Sequence, residues 1–129
     1  LLDRIDLHVD VPSIRLQDLK ERPQQASGDL AARVQAARER QRRRFETDHP
    51  SPVNASLTAA AIYRDCPVAP AGQALLDAAF ERLGLSARAL HRVLKVARTI
   101  ADLAAADRIE SAHLAEAIQY RSLDRRMAR

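Results

Sequence analysis

The sequence predicts a mainly α-helical protein with one β-strand at its beginning. Alanine and leucine occur 25 and 16 times among the 129 residues, whereas Phe and Tyr occur twice each and Trp is absent. This composition is typical of helices that pack closely on small side chains. Five segments carry helical signals, and a single segment alternates apolar and polar residues in the manner of a strand.

The predicted strand is the opening stretch "LLDRIDLHVDVP", residues 1–12. Apolar residues stand at every second position from Ile5 to Val11, and Pro12 then stops the pattern. Because one strand is not stable alone, its partners are expected either upstream of Leu1 or in an assembly. We therefore expect the sequence to be a fragment from the middle of a longer domain.

A long basic helix is predicted from residue 27 or 29 to about residue 47. Its narrow apolar face, at helical spacing, consists of Leu30, Val34, Ala37, Gln41 and Phe45. The rest of the helix is basic through Arg33, Arg38, Arg40, Arg42, Arg43 and Arg44. A solvated basic surface and a nucleic-acid contact are both compatible with this pattern.

Four further helices are predicted from capping and breaking residues. They cover residues 56 or 58 to 64, 70–83, 86 to about 105 and 111 to about 124, followed by a basic tail. Ser56 or Thr58 is expected to cap the first of these helices, Gly84 to follow the second, and Ser86 and Ser111 to cap the last two.

Composition and motifs exclude several classes of function. The net charge of +4 permits an anionic partner, and the single cysteine, Cys66, cannot form an internal disulfide, which suits a reducing cytoplasm. We expect Cys66 to be inert. The four histidines lie in separate segments without metal-ligand spacing, and no G-x-x-x-x-G-K-[ST] motif occurs. The sequence contains no run of 18 apolar residues, so no membrane partner is expected.

The segment "LSARAL" places Arg88 in the first turn of a predicted helix, where the helix dipole disfavours a cation by a few tenths of a kcal/mol. Arg92 and Lys95 continue the same side of the helix, so like charges are stacked. Residue pattern alone leaves two interpretations of Arg88 open: a surface arginine whose stem covers apolar area, or a ligand for an anion. For Arg4, a solvated charge at a strand end is the corresponding simple interpretation.

Five segments together carry a resemblance to a known family. In order, "LLDRIDLHVDVP", "AARVQAARERQ", "NASL", "LGLSARALHRVLKVARTIADL" and "HLAEAIQYRSLDR" resemble the carboxyl-terminal part of the bacterial magnesium-chelatase-like AAA+ ATPases, the YifB/ComM competence group. The resemblance covers nearly the whole chain. It implies that the Walker A and Walker B motifs lie upstream of Leu1.

The resemblance also implies an organisation into three parts. Residues 1–12 would be the edge of the AAA+ core, with Arg4 as the arginine finger that reaches the ATP of a neighbouring subunit. Residues 13–54 would be the pre-sensor-2 linker with its long helix. Residues 55–129 would form the α-helical lid, in which Arg88 matches the sensor 2 arginine that contacts the γ-phosphate of ATP.

For the full-length protein the resemblance implies ATP and Mg²⁺ as ligands and a ring, expected to be a hexamer. ATP hydrolysis would drive remodelling of DNA, as helicase or branch-migration activity in natural transformation. The fragment alone is expected to be a cytoplasmic monomer that neither binds nor hydrolyses ATP. Contacts with nucleic acid or a neighbouring subunit are expected from Arg38, Arg42, Arg43, Arg92 and Lys95.

An alternative from another class of function is an independent basic helical module that binds nucleic acid non-specifically. Insertion of magnesium into porphyrins would follow only from the name of the related family, since no residue pattern here indicates a porphyrin partner. Whether Arg88 would act in its own subunit or in a neighbouring one stays open at the level of sequence.

Overall fold

The computed structural model describes residues 4–20, 26–45 and 49–121, and within these ranges it contains five α-helices. They are α1 (Ser27–Arg44), α2 (Ala59–Asp65), α3 (Pro70–Leu83), α4 (Ala87–Leu103) and α5 (Ser111–Gln119). Short 3-10 helices cover Asp18–Lys20 and Asn54–Ser56. The predicted mainly α-helical class is confirmed. The basic tail predicted at the carboxyl end lies outside the described residues.

Local sequence signals account for three of the helix ends. The Thr58 hydroxyl oxygen accepts a hydrogen bond from the Ala61 N–H (3.2 Å) at the start of α2, and Ser86 caps α4 through the Ala89 N–H (3.2 Å). Gly84 ends α3 with φ 58° and ψ 41°, a left-handed conformation that glycine adopts without a Cβ clash. These three predictions are confirmed.

The prediction for the cap of α5 is wrong by one residue. Glu110 precedes the helix, and its side chain and that of His113 form a reciprocal capping box. The Glu110 N–H donates to His113 Nδ1 at 3.0 Å. Ser111 is therefore the first helical residue.

The core lies around α4, which packs against α1, α2 and α5. It is filled by Leu57, Ile62, Cys66, Leu76, Val93, Leu94, Ala97, Ala101, Ile109, Leu114 and Ala117. Small residues also allow α3 to approach α5 closely. At Gly72 in α3, an added Cβ would lie 2.9 Å from Val68 Cγ1 and 3.1 Å from Leu114 Cδ1. The expected packing on small side chains is thus present.

The predicted strand over residues 1–12 is not formed in its described part, residues 4–12. The alternating apolar side chains are exposed, from 45% at Ile5 to 76% at Val11. The backbone N–H of His8 donates to the Tyr120 carbonyl oxygen (2.8 Å), so the segment contacts the end of α5 and has no strand beside it. A sheet ladder needs a neighbouring strand, and the described residues do not provide one.

The apolar face of α1 is used only in its second half. Ala37 and Gln41 are buried, and Phe45 packs on the core. Leu30 and Val34 remain 44% and 51% exposed. The helix therefore docks through its carboxyl-terminal half, and its last residue is Arg44, three residues before the predicted end.

Candidate functional site

The candidate site lies at the beginning of α4. Ser86 has extended backbone angles, and its side chain turns the chain into the helix, so Arg88 is the second helical residue. The Arg88 side chain is exposed and makes no hydrogen bond or ion pair with any residue that the structure describes. Arg88, without a counter-charge among the described residues, therefore belongs to the first turn of a 17-residue helix, the positive end of the helix dipole.

The segment that carries Arg4 lies against the same helix. Asp6 Oδ1 forms an ion pair with Arg92 Nε at 3.3 Å, and Arg92 follows Arg88 by one helical turn. Two residues later, the backbone N–H of His8 donates a hydrogen bond to the Tyr120 carbonyl oxygen at the end of α5. Arg4 itself is exposed, and in the described part of the chain it has no ion-pair partner. The structure thus places the Arg4 segment alongside α4.

Two other predicted site residues on α4 are engaged within the chain. The Arg92 side chain is only 16% exposed and forms the ion pair with Asp6. Lys95 Nζ donates to the Ala55 carbonyl oxygen at 2.8 Å. Both cations therefore hold neighbouring segments onto α4.

The remaining predicted site residues lie on α1. Arg38, Arg42 and Arg43 are all exposed. Arg42 Nη1 and Arg43 Nε each donate to Glu39 at 3.0 Å. Arg43, followed by Arg42, lowers the pKa of the Glu39 carboxyl through these bonds. None of the three arginines on α1 is brought next to Arg88 by a contact that the structure describes.

A buried ion network was missed by the sequence analysis. Asp102 on α4 has a fully buried side chain. Its carboxylate forms ion pairs with Arg44 Nη2 (2.6 Å) and Arg98 Nη2 (3.1 Å) and accepts a hydrogen bond from Arg44 Nη1 (3.0 Å). Asn54 Nδ2 also donates to it at 2.9 Å. Burial lowers the pKa of the Arg98 guanidinium, and the Asp102 charge opposes that shift. The available signal was a pair of opposite charges four residues apart beside Ala97 on the apolar face of α4.

Cys66 is buried between α2 and α3, as expected of an inert thiol. Burial raises the pKa of the Cys66 thiol from 9.0 to about 11. Since the thiolate is the reactive form, labelling at pH 8 is expected to be about 100-fold slower in the folded than in the unfolded protein. Peptide-level mass spectrometry with and without denaturant measures this ratio. Equal rates would contradict it.

The same shift fixes the sign of a pH effect on stability. Between pH 9 and about pH 11 the unfolded thiol loses its proton while the folded thiol keeps it. The contribution of Cys66 to stability is therefore full below pH 9 and falls as the pH rises through this window.

The described residues contain no cluster of three or more His, Cys, Asp or Glu side chains that could hold a metal ion. No helix in the described part of the chain is long and apolar enough to cross a membrane.

Residues 24–121 match the sequence model of the family described as magnesium chelatase, subunit ChlI, C-terminal. The chain belongs to this family of magnesium-chelatase-like C-terminal domains. Over 126 residues, 96% of its length, it is 39% identical to "Competence protein ComM" of Haemophilus influenzae. Over the same share it is 40% identical to "Uncharacterized protein YifB" of Escherichia coli and of Salmonella typhimurium. The resemblance to the YifB/ComM group is confirmed, and the chain spans about a quarter (24%) of each relative.

Proposed function

We propose that the chain is the lid portion of a ring-forming, cytoplasmic AAA+ ATPase of the ComM/YifB type that couples ATP hydrolysis to DNA remodelling. The observation that carries this proposal is the exposed Arg88 guanidinium at the start of α4. Membership of the magnesium chelatase family and the similarity to ComM support it. ATP and Mg²⁺ would bind mainly to an upstream core, because these 129 residues contain no G-x-x-x-x-G-K-[ST] motif.

The position of Arg88 favours a role with a triphosphate over a role in stability. Its charge opposes the helix dipole, which costs a few tenths of a kcal/mol, and no carboxylate among the described residues compensates it. With a γ-phosphate at this place, the guanidinium and the free amides of α4 would converge on one anion. In that arrangement Arg88 is the sensor 2 residue.

Arg4 would complete the same subunit boundary as the arginine finger. The ion pair between Asp6 and Arg92 supports this, because it holds the segment of Arg4 beside the first half of α4. We infer that both arginines are presented by one subunit to the same ATP. Such a group stabilises the charge that spreads over the transferred phosphoryl oxygens.

Replacing Arg88 by alanine in the full-length protein is expected to lower kcat for ATP hydrolysis by about 100-fold or more, because one preorganised donor to the transition state is lost. The measurement is steady-state phosphate release with saturating ATP and Mg²⁺. Arg108→Ala, which removes another exposed arginine, is the control and should retain wild-type turnover. Wild-type turnover in Arg88→Ala would refute the sensor 2 assignment.

A second candidate is a module that binds nucleic acid through α1. The exposed arginines Arg33, Arg38, Arg42 and Arg43 favour it. This candidate predicts DNA binding that weakens steeply with salt and that does not depend on ATP or on Arg88.

A further inference from the structure

A small basic pocket lies where the end of α1 meets the loop between α4 and α5. It is a depression of about 220 Å³ that is open to solvent, and it is lined by Arg40, Arg43, Arg44, Arg98 and Asp107. Four of these five lining residues are arginines, and Asp107 is the acidic one. This pocket is separate from the start of α4, because Arg98 follows Arg88 by ten residues, about 15 Å along a helix.

One side of the pocket is rigid. Arg44 is held by its two bonds to Asp102. Arg98 is 1% exposed and donates to the carbonyl oxygens of Ala106 (2.5 Å) and Asp107 (2.8 Å). Its Nε is buried and has no hydrogen-bond partner among the described residues. Arg98 therefore contributes its positive charge to this side of the pocket, while its buried Nε is not accessible to a ligand from solvent.

On the other side of the pocket, the arginines have ion-pair partners that a bound anion can replace. Arg40 Nη2 pairs with Asp107 Oδ1 at 2.6 Å, but the Asp107 side chain is 95% exposed. Arg43, 77% exposed, pairs with Glu39, which is already bonded to Arg42. Exposed ion pairs of this kind are weak because water screens them, so a stronger anion can displace them.

The local charge balance favours an oxyanion. Around the pocket, five guanidinium groups stand against three carboxylates, those of Glu39, Asp102 and Asp107. Planar guanidinium groups match phosphate oxygens with paired hydrogen bonds. Asp107 already places a carboxylate oxygen against Arg40, where a phosphate oxygen would bind.

We propose that this pocket is a phosphate-binding site that takes a backbone phosphate of a nucleic acid, with Asp107 as an internal competitor that the phosphate displaces. The shared chemistry is a tetrahedral phosphate oxyanion, and free phosphate is the other source that could supply it. This inference rests on the DNA partner of the proposed function and names the residues that would bind that DNA. DNA binding at the pocket does not depend on ATP hydrolysis.

The first test compares two double variants of the full-length protein without nucleotide. Arg40→Ala with Arg43→Ala removes the two arginines whose present partners a ligand can replace, and Arg15→Ala with Arg82→Ala removes two exposed arginines outside α1 and outside the pocket. Fluorescence anisotropy of a labelled DNA duplex is recorded between about 50 and 200 mM salt. The pocket variant is expected to bind about 10-fold more weakly, with a salt slope smaller by about one. Equal losses in both double variants would overturn the pocket and favour a diffuse basic surface.

The second test removes the internal competitor. Asp107→Asn is expected to raise DNA affinity about 3-fold or more, because the phosphate no longer displaces a carboxylate from Arg40. Asp29→Asn is the control, since it removes an exposed acid from α1 at a distance from the pocket. An equal gain in the control, or no gain in Asp107→Asn, would contradict displacement.

A third test distinguishes the two sources of phosphate. Inorganic phosphate, compared with chloride at equal ionic strength, is expected to raise Tm of the wild type but not of the Arg40/Arg43 variant. A Tm shift combined with unchanged DNA binding would assign the site to free phosphate and overturn the nucleic-acid assignment. Arg88→Ala is expected to keep the full DNA response, so failure of the ATPase proposal and failure of this one give different results.

Discussion

Replacing Asp102 by alanine is expected to destabilise the helical domain by about 3–5 kcal/mol, the cost of breaking a buried ion pair from one side. Asp102 is the common acceptor for Arg44, Arg98 and Asn54, and its side chain is fully buried. Without it, the buried Arg98 guanidinium keeps only its carbonyl partners. Arg44, which ends α1, also loses the contact that joins this helix to α4.

Hydrogen–deuterium exchange of the α1 and α4 amides in the full-length protein measures this loss as a local free energy of opening. Asp107→Ala is the matched control, because it removes an exposed partner of Arg40 and should change stability by no more than about 0.5 kcal/mol. A loss below about 1 kcal/mol in Asp102→Ala would mean that the network contributes no more than a surface pair.

Replacing Arg4 by alanine is expected to lower ATP turnover of the full-length protein by about 10³- to 10⁵-fold, the range for an arginine finger. The physical reason is that an arginine finger stabilises the charge that spreads over the transferred phosphoryl oxygens, and the proposed function assigns this role to Arg4. Arg15→Ala, another exposed arginine of the amino-terminal stretch, is the control and should leave turnover unchanged. Turnover of Arg4→Ala within a few-fold of the wild type would refute the assignment.

Mixed assemblies of Arg4→Ala and Arg88→Ala subunits sharpen this prediction. If one subunit presents both arginines to the same ATP, every boundary in a mixed ring lacks one of them, and activity stays absent. If Arg88 acts on the ATP of its own subunit instead, some boundaries regain both arginines and activity partly returns. The contact between Asp6 and Arg92 leads us to expect no rescue.

Local chemistry made several features predictable from the residues. Thr58, Ser86 and Gly84 mark helix ends because a cap needs only a nearby hydroxyl, and a left-handed turn favours a residue without Cβ. The exposed position of Arg88 follows from that same cap and from the periodicity of α4. The cap of α5 was missed because Glu110 and His113 form a less common pair.

The amino-terminal segment shows where pattern reasoning fails. Alternation from Ile5 to Val11 fits a strand, but strand formation is decided by a partner strand, and the described part of the chain has none. Similarly, the apolar face of α1 is continuous in sequence, yet only Ala37 and Gln41 are buried. The length of the helix carries Leu30 and Val34 beyond the surface of α4.

The helical class, the caps that begin α2 and α4, the end of α3 and the kinship with magnesium-chelatase-like proteins could be derived from the residues, because each depends on local pattern or on residue identity. The folded structure was needed to show that Asp102 joins Arg44 to Arg98 and that Asp6 holds the Arg4 segment on α4. It also brought Arg40 and Asp107 together across 67 residues of chain. Such pairings depend on distances between segments remote in sequence, which residue spacing does not encode.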